Sequence, residues 1–380
     1  MLWIGLMSGT AADAVDAALV RIGREPGDAE LLALHSEPLD DALRARIHDL
    51  VSGGLSLRDL VQLDVQLGER FAAAALGAAR AGNVPLEQVR GIASHGQTVG
   101  HFPEAEVRGT LQIGCAAVIH ARTGRPVVSD FRRADIACGG QGAPLTPFFH
   151  FHRFADAAER RAVLNIGGFT NVTYLPDRDP DHVLAFDPGP GNALLDRAAR
   201  WASGGRERFD RDGARTTRGR VTRELVEEWL RAPYFARRPP KSTGHELFGD
   251  AFFAHARDAV LGRGGSADDV FACLAELTVE SVARSAERFF AKPAERWLLC
   301  GGGARNPALV SRLRARLAPA VLDTTDAHGV PSDALEAIAF AVLGHCASIG
   351  RPSNLPAATG ASRAVCLGVA SPPNAFSSSE

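Results

Sequence analysis

The sequence predicts an α/β protein built from two domains, and three observations carry that expectation. The chain has 380 residues, more than a single hydrophobic core usually serves. Apolar runs end repeatedly in glycine turns, at Ser8-Gly9-Thr10, Gly167-Gly168, Gly189-Pro190-Gly191 and Gly301-Gly302-Gly303. Strands followed by strand–helix units occur twice along the chain, the order expected of two related α/β domains.

In the first third, residues 2–7 form an apolar run that stops at Ser8-Gly9-Thr10, and 15–22 and 31–34 follow as strands. Residues 40–51 and 57–81 carry apolar side chains at helical spacing, in the second case Leu60, Leu63, Leu67, Phe71 and Ala74. Residues 91–94 are a strand running into the polar corner His95-Gly96-Gln97-Thr98. A helix at 116–122 and a buried strand at 126–129 complete this part.

After Phe131 the order begins again. Residues 161–166 are a strand, turned at Gly167-Gly168 into a second at 171–175. Residues 183–186 are a third strand, and Pro188-Gly189-Pro190-Gly191 turns it into a helix near 193–202. Helices are predicted at 221–231 and 267–290, a strand at 296–300, a turn at Gly301-Gly302-Gly303 and a helix at 307–317. A strand at 321–323 and a long apolar helix at 332–349 close the series.

Composition excludes several classes. The formal net charge of −2 lacks the basic excess of a nucleic-acid binder. Of 42 basic residues only Lys241 and Lys292 are lysines, and no Gly-Lys-Ser/Thr tripeptide exists for a Walker A loop. The six cysteines are widely spaced without a C-x-x-C pair, which fits buried thiols in a reducing compartment better than a zinc ribbon or disulfide scaffold. The apolar N-terminus carries Asp13 and Asp16 and no basic region, unlike a signal peptide, and no long uncharged apolar run follows. A soluble cytoplasmic protein with no membrane partner is expected. The glycines match no dinucleotide fingerprint, and neither a His-Glu-x-x-His zinc motif nor a Gly-x-Ser-x-Gly elbow occurs.

Glycine turns at strand ends expose backbone N–H groups at close range, which suits oxyanions such as phosphates. Each such turn also has a plain geometric use. Asp187 ends an apolar strand just before Pro-Gly-Pro-Gly, where a carboxylate can act as a base or simply cap the turn. Asp13 and Asp16 follow the first turn, as water-mediated Mg²⁺ ligands or as solvated hairpin residues. Asp130, Arg132, Arg133 and Asp135 crowd one loop, whose arginines can clamp a carboxylate or face solvent.

Ten segments appear in order: GLMSGTAADAVDAAL, IASHGQTVGHFP, TLQIG, VSDFRRADIACGGQGAPL, LNIGGFTNV, FDPGPGNALLD, FDRDGA, PKSTGHE, LLCGGGARNP and ALEAIAFAVLG. Together they resemble the anhydro-N-acetylmuramic acid kinase family, over residues 1 to about 368. The resemblance implies the sugar kinase/Hsp70/actin fold, with two RNase H-like domains and an interdomain cleft. The expected boundaries are 1–130 plus about 353–380 for the N-terminal domain and 131–352 for the C-terminal one. It implies ATP and Mg²⁺ as cofactors, 1,6-anhydro-N-acetylmuramic acid as substrate and a homodimer as a family-level expectation.

The same resemblance implies that Asp187 is the catalytic aspartate. Ser8, Gly9 and Thr10 with Asp13 and Asp16 would form the first phosphate loop, Gly167 and Gly168 would begin the second, and Gly301, Gly302 and Gly303 would approach the adenosine. His95, Arg132 and Glu336 are the candidates for the sugar, with Arg132 facing its lactyl carboxylate. The first loop departs from the family's G-T-S-x-D-G-x-D at Ala11 and Ala14, the latter where a positive φ or close backbone approach is expected. Cys115 stands where the family often has Asn. An ATP-binding regulator that has lost chemistry and an RNase H-like nuclease using Asp13 and Asp16 are the competing readings. Lys241, inside PKSTGHE, is either near the site or neutralising a surface helix end.

Overall fold

The computed structural model describes residues 1–9, 11–372 and 375–376; Thr10, expected in the first phosphate loop, lies outside them. The chain divides into two compact units, Met1–Phe154 with Gly329–Glu380, and Ala155–His328. The first unit holds strands β1 (Leu2–Met7), β2 (Ala14–Ile22), β3 (Ala29–Pro38), β4 (Val89–Ser94), β5 (Gln97–Phe102), β6 (Gly109–Ile113) and β7 (Val127–Ser129). The second holds β8 (Arg161–Ile166), β9 (Phe169–Leu175), β10 (Leu184–Pro190), β11 (Arg296–Cys300) and β12 (Val321–Thr324), and β13 (Val369–Ser371) returns to the first.

The two sheets share a topology. In the first unit the order is β13-β7-β4-β1-β2-β3, and in the second β10-β9-β8-β11-β12. Three antiparallel strands lead each unit: β1 with β2 and β2 with β3, then β8 with β9 and β9 with β10. Two parallel strands extend the other side, β4 and β7 on β1, β11 and β12 on β8. Both sheets therefore follow the RNase H-like order that the resemblance implies. The first adds β13 at one edge and the separate β5–β6 ribbon.

Each core follows from local signals. The helix Leu57–Ala81 opens on a Ser56/Asp59 capping box, and its heptad-like apolar stripe (Leu63, Leu67, Phe71, Ala74, Ala78) covers Ile4 and Leu6 of β1. Alternate residues of β1 point the other way, where Trp3 and Gly5 meet the helix Leu335–Ser348. That helix lies so close that a Cβ on Gly5 would stand 1.9 Å from the carbonyl oxygen of Ala337. In the second unit the helix Ala267–Phe289 begins at a Ser266/Asp269 capping box and is buried along most of its length. Its two embedded carboxylates, Glu276 and Glu280, are paired with Arg312 and Arg316 at 2.9 and 2.8 Å.

Four expectations change. The division of the chain falls after Phe154 and before Gly329, not at 130 and 352, because residues 335–348 bury their apolar surface on β1 and β4. Residues 188–190 are not a turn beyond the strand: β10 continues through them to Pro190, with a register irregularity between Phe186 and Gly189. The positive φ of the first loop belongs to Ala12 (48°), while Ala14 is the first residue of β2, so its methyl occupies ordinary strand backbone. All six cysteines are free thiols, but only Cys273, Cys300 and Cys346 are buried, and Cys366 is exposed. Among the described residues no helix is long and apolar enough to cross a membrane.

Candidate active site

Asp187 sits where β10 departs from regular pairing with β9. Pro188 has no N–H to donate to a ladder, and the Thr170 hydroxyl takes over by bonding both the N–H and the carbonyl of Gly189, at 3.1 and 3.0 Å. The irregularity turns the Asp187 carboxylate towards Asn171 and Thr243. Asn171 Nδ2 donates to one carboxylate oxygen at 2.8 Å and the Thr243 N–H to the other at 3.1 Å. The Tyr234 hydroxyl donates to the Asp187 carbonyl at 2.6 Å. Burial pushes the Asp187 carboxyl up to about 6, against the opposing pull of Asn171, Thr243 and Lys241. The group is thus ionised at neutral pH yet more basic than an ordinary carboxylate.

The glycine turns of the second unit meet at the start of the helix Asn192–Ser203. The carbonyls of Gly167 and Gly168 accept from the N–H groups of Asn192 (2.8 Å), Gly191 and Ala193 (both 3.0 Å), so the β8–β9 turn caps the helix Asn192–Ser203. Asn192 Nδ2 donates to the Ile166 carbonyl at 3.2 Å, and its amide lies near Gly302 and Gly303. Gly301 has φ +78°, and a Cβ there would stand 2.2 Å from Asn165 Oδ1. Gly167, Gly168, Gly301, Gly302 and Gly303 therefore meet through Asn165 and Asn192, residues that the sequence reading did not single out.

The first unit gathers the remaining candidates. The Ser8 hydroxyl is buried and turned inward, donating to Gln97 Oε1 (2.8 Å) and the Ala14 carbonyl (3.0 Å). Gln97 Nε2 in turn donates to the Gly9 carbonyl at 3.3 Å, so the loop after β1 is tied to the corner after β4. Asp13 is exposed and Asp16 half-buried on β2, where burial and the nearby Asp13 charge raise the Asp16 carboxyl against a hydrogen bond from Ser36. Two mutually repelling carboxylates suit a cation that keeps most of its water, as Mg²⁺ does. Among the described residues no group of three His, Cys, Asp or Glu side chains is placed to hold a metal, so an all-protein cage is absent there.

His95 and Arg132 form one unit. Arg132 donates to His95 Nε2 from Nη2 at 2.7 Å and from Nε at 3.1 Å, and from Nη1 to the Gly142 carbonyl at 2.7 Å. Nε2 must then be the acceptor, which leaves the proton on Nδ1, 2.8 Å from the Gly96 carbonyl. Burial, reinforced by the Arg132 charge, holds His95 well below the usual imidazole range. Burial also pushes Arg132 down to about 10, with Glu336 and Asp135 pulling the other way. Glu336 approaches from the first turn of the helix Leu335–Ser348, whose Phe340 packs on the His95 ring at 4.7 Å. His101, pushed down to about 4 by burial and then by Arg132, also faces this cluster, though the sequence reading passed over it.

The family description "Anhydro-N-acetylmuramic acid kinase" matches residues 1–373. The chain belongs to this kinase family. A family member of the same name from Cyanothece sp. is 43% identical over 379 residues, covering 96% of this chain and 98% of that protein. Another from a Shewanella sp. is 42% identical over 375 residues, covering 96% and 97%. A ROK family glucokinase from Streptomyces griseus, solved with glucose and AMPPNP, aligns at 15% identity and TM-score 0.42 over 91% of this chain and 99% of that one.

Within the kinase, Asp187 and the glycines 167, 168 and 301–303 share the second unit, and Ser8, Gly9, Asp13, Asp16, His95, Arg132 and Glu336 share the first. Lys241 is 5% exposed and lies under Asp187, not at a surface helix end. The partners that orient these groups (Gln97, Asn165, Asn171, Asn192, Tyr234, Thr243) carry no sequence pattern of their own. For all but Tyr234, only their place inside the segments GQTVG, LNIGGFTN, GPGN and PKSTG pointed near them, and Tyr234 lies outside every such segment.

Proposed function

We propose that this kinase uses ATP to convert 1,6-anhydro-N-acetylmuramic acid to N-acetylmuramic acid 6-phosphate, with Asp187 as the base. Water attacks the anomeric carbon and gives its proton to the Asp187 carboxylate. The bond from that carbon to the 6-oxygen breaks, and the freed oxygen attacks the γ-phosphorus as ADP leaves. A carboxylate near 6 is a stronger acceptor than a free aspartate and still ionised at neutral pH, which suits general base catalysis worth roughly 10²–10⁴-fold. That pairing of basicity and fixed geometry is the observation that carries the reading.

The other roles follow from chemistry. Gly9, Gly167 and Gly168 present backbone to the phosphates, and Gly301, Gly302 and Gly303 to the nucleoside; Thr10 belongs to the first loop by sequence. Asp13 and Asp16 would hold Mg²⁺ through water, and the ion would neutralise charge on the transferring phosphate. Arg132 binds the lactyl carboxylate, Glu336 contacts the sugar, and His95 serves the sugar by fixing the Arg132 guanidinium. A cytoplasmic homodimer, acting in the recycling of cell-wall sugar, completes the proposal.

Incubation of the purified protein with MgATP and the anhydro sugar tests it directly. ADP and a sugar 6-phosphate should appear in equal amounts, and the absence of both would sink the kinase assignment. Asp187→Asn should stop ring opening and phosphorylation together while ATP binding persists. Light scattering on the eluting protein should give twice the monomer mass.

A further inference from the structure

Lys241 is one of two lysines in a chain whose other basic residues are all arginine, and it is buried. Its ammonium stands 4.6 Å from the ring centre of Tyr234, 5.2 Å from Phe289 and 5.6 Å from Phe186. Its hydrogen bond to the Tyr234 carbonyl is long, at 3.4 Å. A compact ammonium can occupy such a ring-lined space, and the ring faces attract it. The same residue's carbonyl accepts the Asp187 N–H at 3.0 Å, while the caging ring of Tyr234 donates its hydroxyl to the Asp187 carbonyl.

We propose that Lys241 is a positioning residue for Asp187, fixing the main chain beneath the carboxylate through its carbonyl and adding a buried positive charge that, with the Asn171 and Thr243 donors, favours the anion. The proposal rests on the reading of Asp187 as the base. Burial drives the carboxyl upward and Glu246 on the neighbouring short helix pushes the same way, while the hydrogen bonds from Asn171 and Thr243 oppose them first and the Lys241 charge adds to that opposition. Burial pushes the Lys241 ammonium down to about 8, with Arg288 and Arg237 adding to the effect and Asp187 countering it. Both partners are therefore charged at neutral pH, and the lysine contributes its charge across the acid side of the pH range. Tyr234, which burial keeps protonated, also touches both groups, and His245 lies on the Glu246 helix, against Phe169 and Arg197.

The test compares the intact protein with five variants, by the pH profile of kcat/KM for four of them and by activity for Asp187→Asn. Lys241→Met and Lys241→Gln both remove the charge, so that one folded variant suffices, with thermal melting as the check. In either, the acid limb should move up by about one pH unit, lowering kcat/KM at pH 6 about five-fold with the KM for ATP unchanged. Lys241→Arg should leave the limb in place even if kcat falls. His245→Asn should leave both limb and rate in place. A limb that stays put in the uncharged variants, or that follows His245, overturns the proposal. Asp187→Asn separates the two readings: full activity there refutes the base itself, whereas an inactive Asp187→Asn with an unmoved Lys241→Met limb refutes only the role of the lysine.

Discussion

Nε2 of His95 accepts two hydrogen bonds from the Arg132 guanidinium, while its Nδ1 lies 2.8 Å from the Gly96 carbonyl. Both ring nitrogens are thus engaged, and the imidazole acts as a neutral strut. Its place after β4 follows from the chain leaving the sheet at Ser94, with the His95 N–H on the Leu6 carbonyl at 3.0 Å.

If the strut orients Arg132, His95→Ala should raise the KM for the sugar about ten- to a hundredfold and leave the KM for ATP alone, because one charged hydrogen-bond system is worth about 1.5–3 kcal/mol. Burial holds His95 well below its ordinary range, so the sugar KM should be flat between pH 6.5 and 8. A step with histidine character in that window would contradict the assignment.

The Asp187 carboxyl, pushed up to about 6 by burial, should give kcat/KM an acid limb near that pH, falling tenfold per unit below it as the base is protonated. Asn171→Ala removes the donor on one carboxylate oxygen. Protonation then becomes easier, and the limb should move up by about one pH unit. Initial-rate profiles from pH 5 to 8 decide it.

Gln97 joins the loop after β1 to the corner after β4. Gln97→Leu leaves the buried Ser8 hydroxyl without its 2.8 Å acceptor. The hydroxyl keeps the Ala14 carbonyl as acceptor, so the expected outcome is a stability loss of about 0.5–1.5 kcal/mol with a several-fold rise in the KM for ATP, read by denaturant titration and kinetics. An unchanged ATP KM would mean that the loop's conformation does not matter to the nucleotide.

Two glycines of the first unit make a matched pair. A Cβ on Gly5 collides with the backbone of the helix Leu335–Ser348, so Gly5→Ala should cost about 3 kcal/mol or more. Among the described residues a Cβ on Gly9 meets nothing within 4 Å, so Gly9→Ala should leave the melting temperature nearly unchanged and instead weaken ATP binding. Equal melting losses in both would remove the argument that Gly9 is kept for a ligand.

Much of this was legible along the chain. The helix Leu57–Ala81 announces itself through a capping box and a stripe of apolar residues, and the glycine turns through their place after apolar runs. Asp187 stood out because a carboxylate at the end of an apolar strand before Pro-Gly-Pro-Gly is unusual. These are local features, set by propensity, periodicity and turn chemistry within a few residues. The ordered segments of the resemblance carried the family and the candidate residues.

What tertiary structure alone decided is non-local. Past Asp187, β10 continues with the Thr170 hydroxyl of the neighbouring strand bonding both backbone groups of Gly189. The unit boundary depends on which sheet the helix Leu335–Ser348 covers, and its largely apolar sequence names no partner. The lysine cage draws Phe186, Tyr234, Lys241 and Phe289 from distant segments, and no local pattern forecasts their meeting. Sequence determined which groups are available for chemistry; packing determined which of them are buried, charged and held.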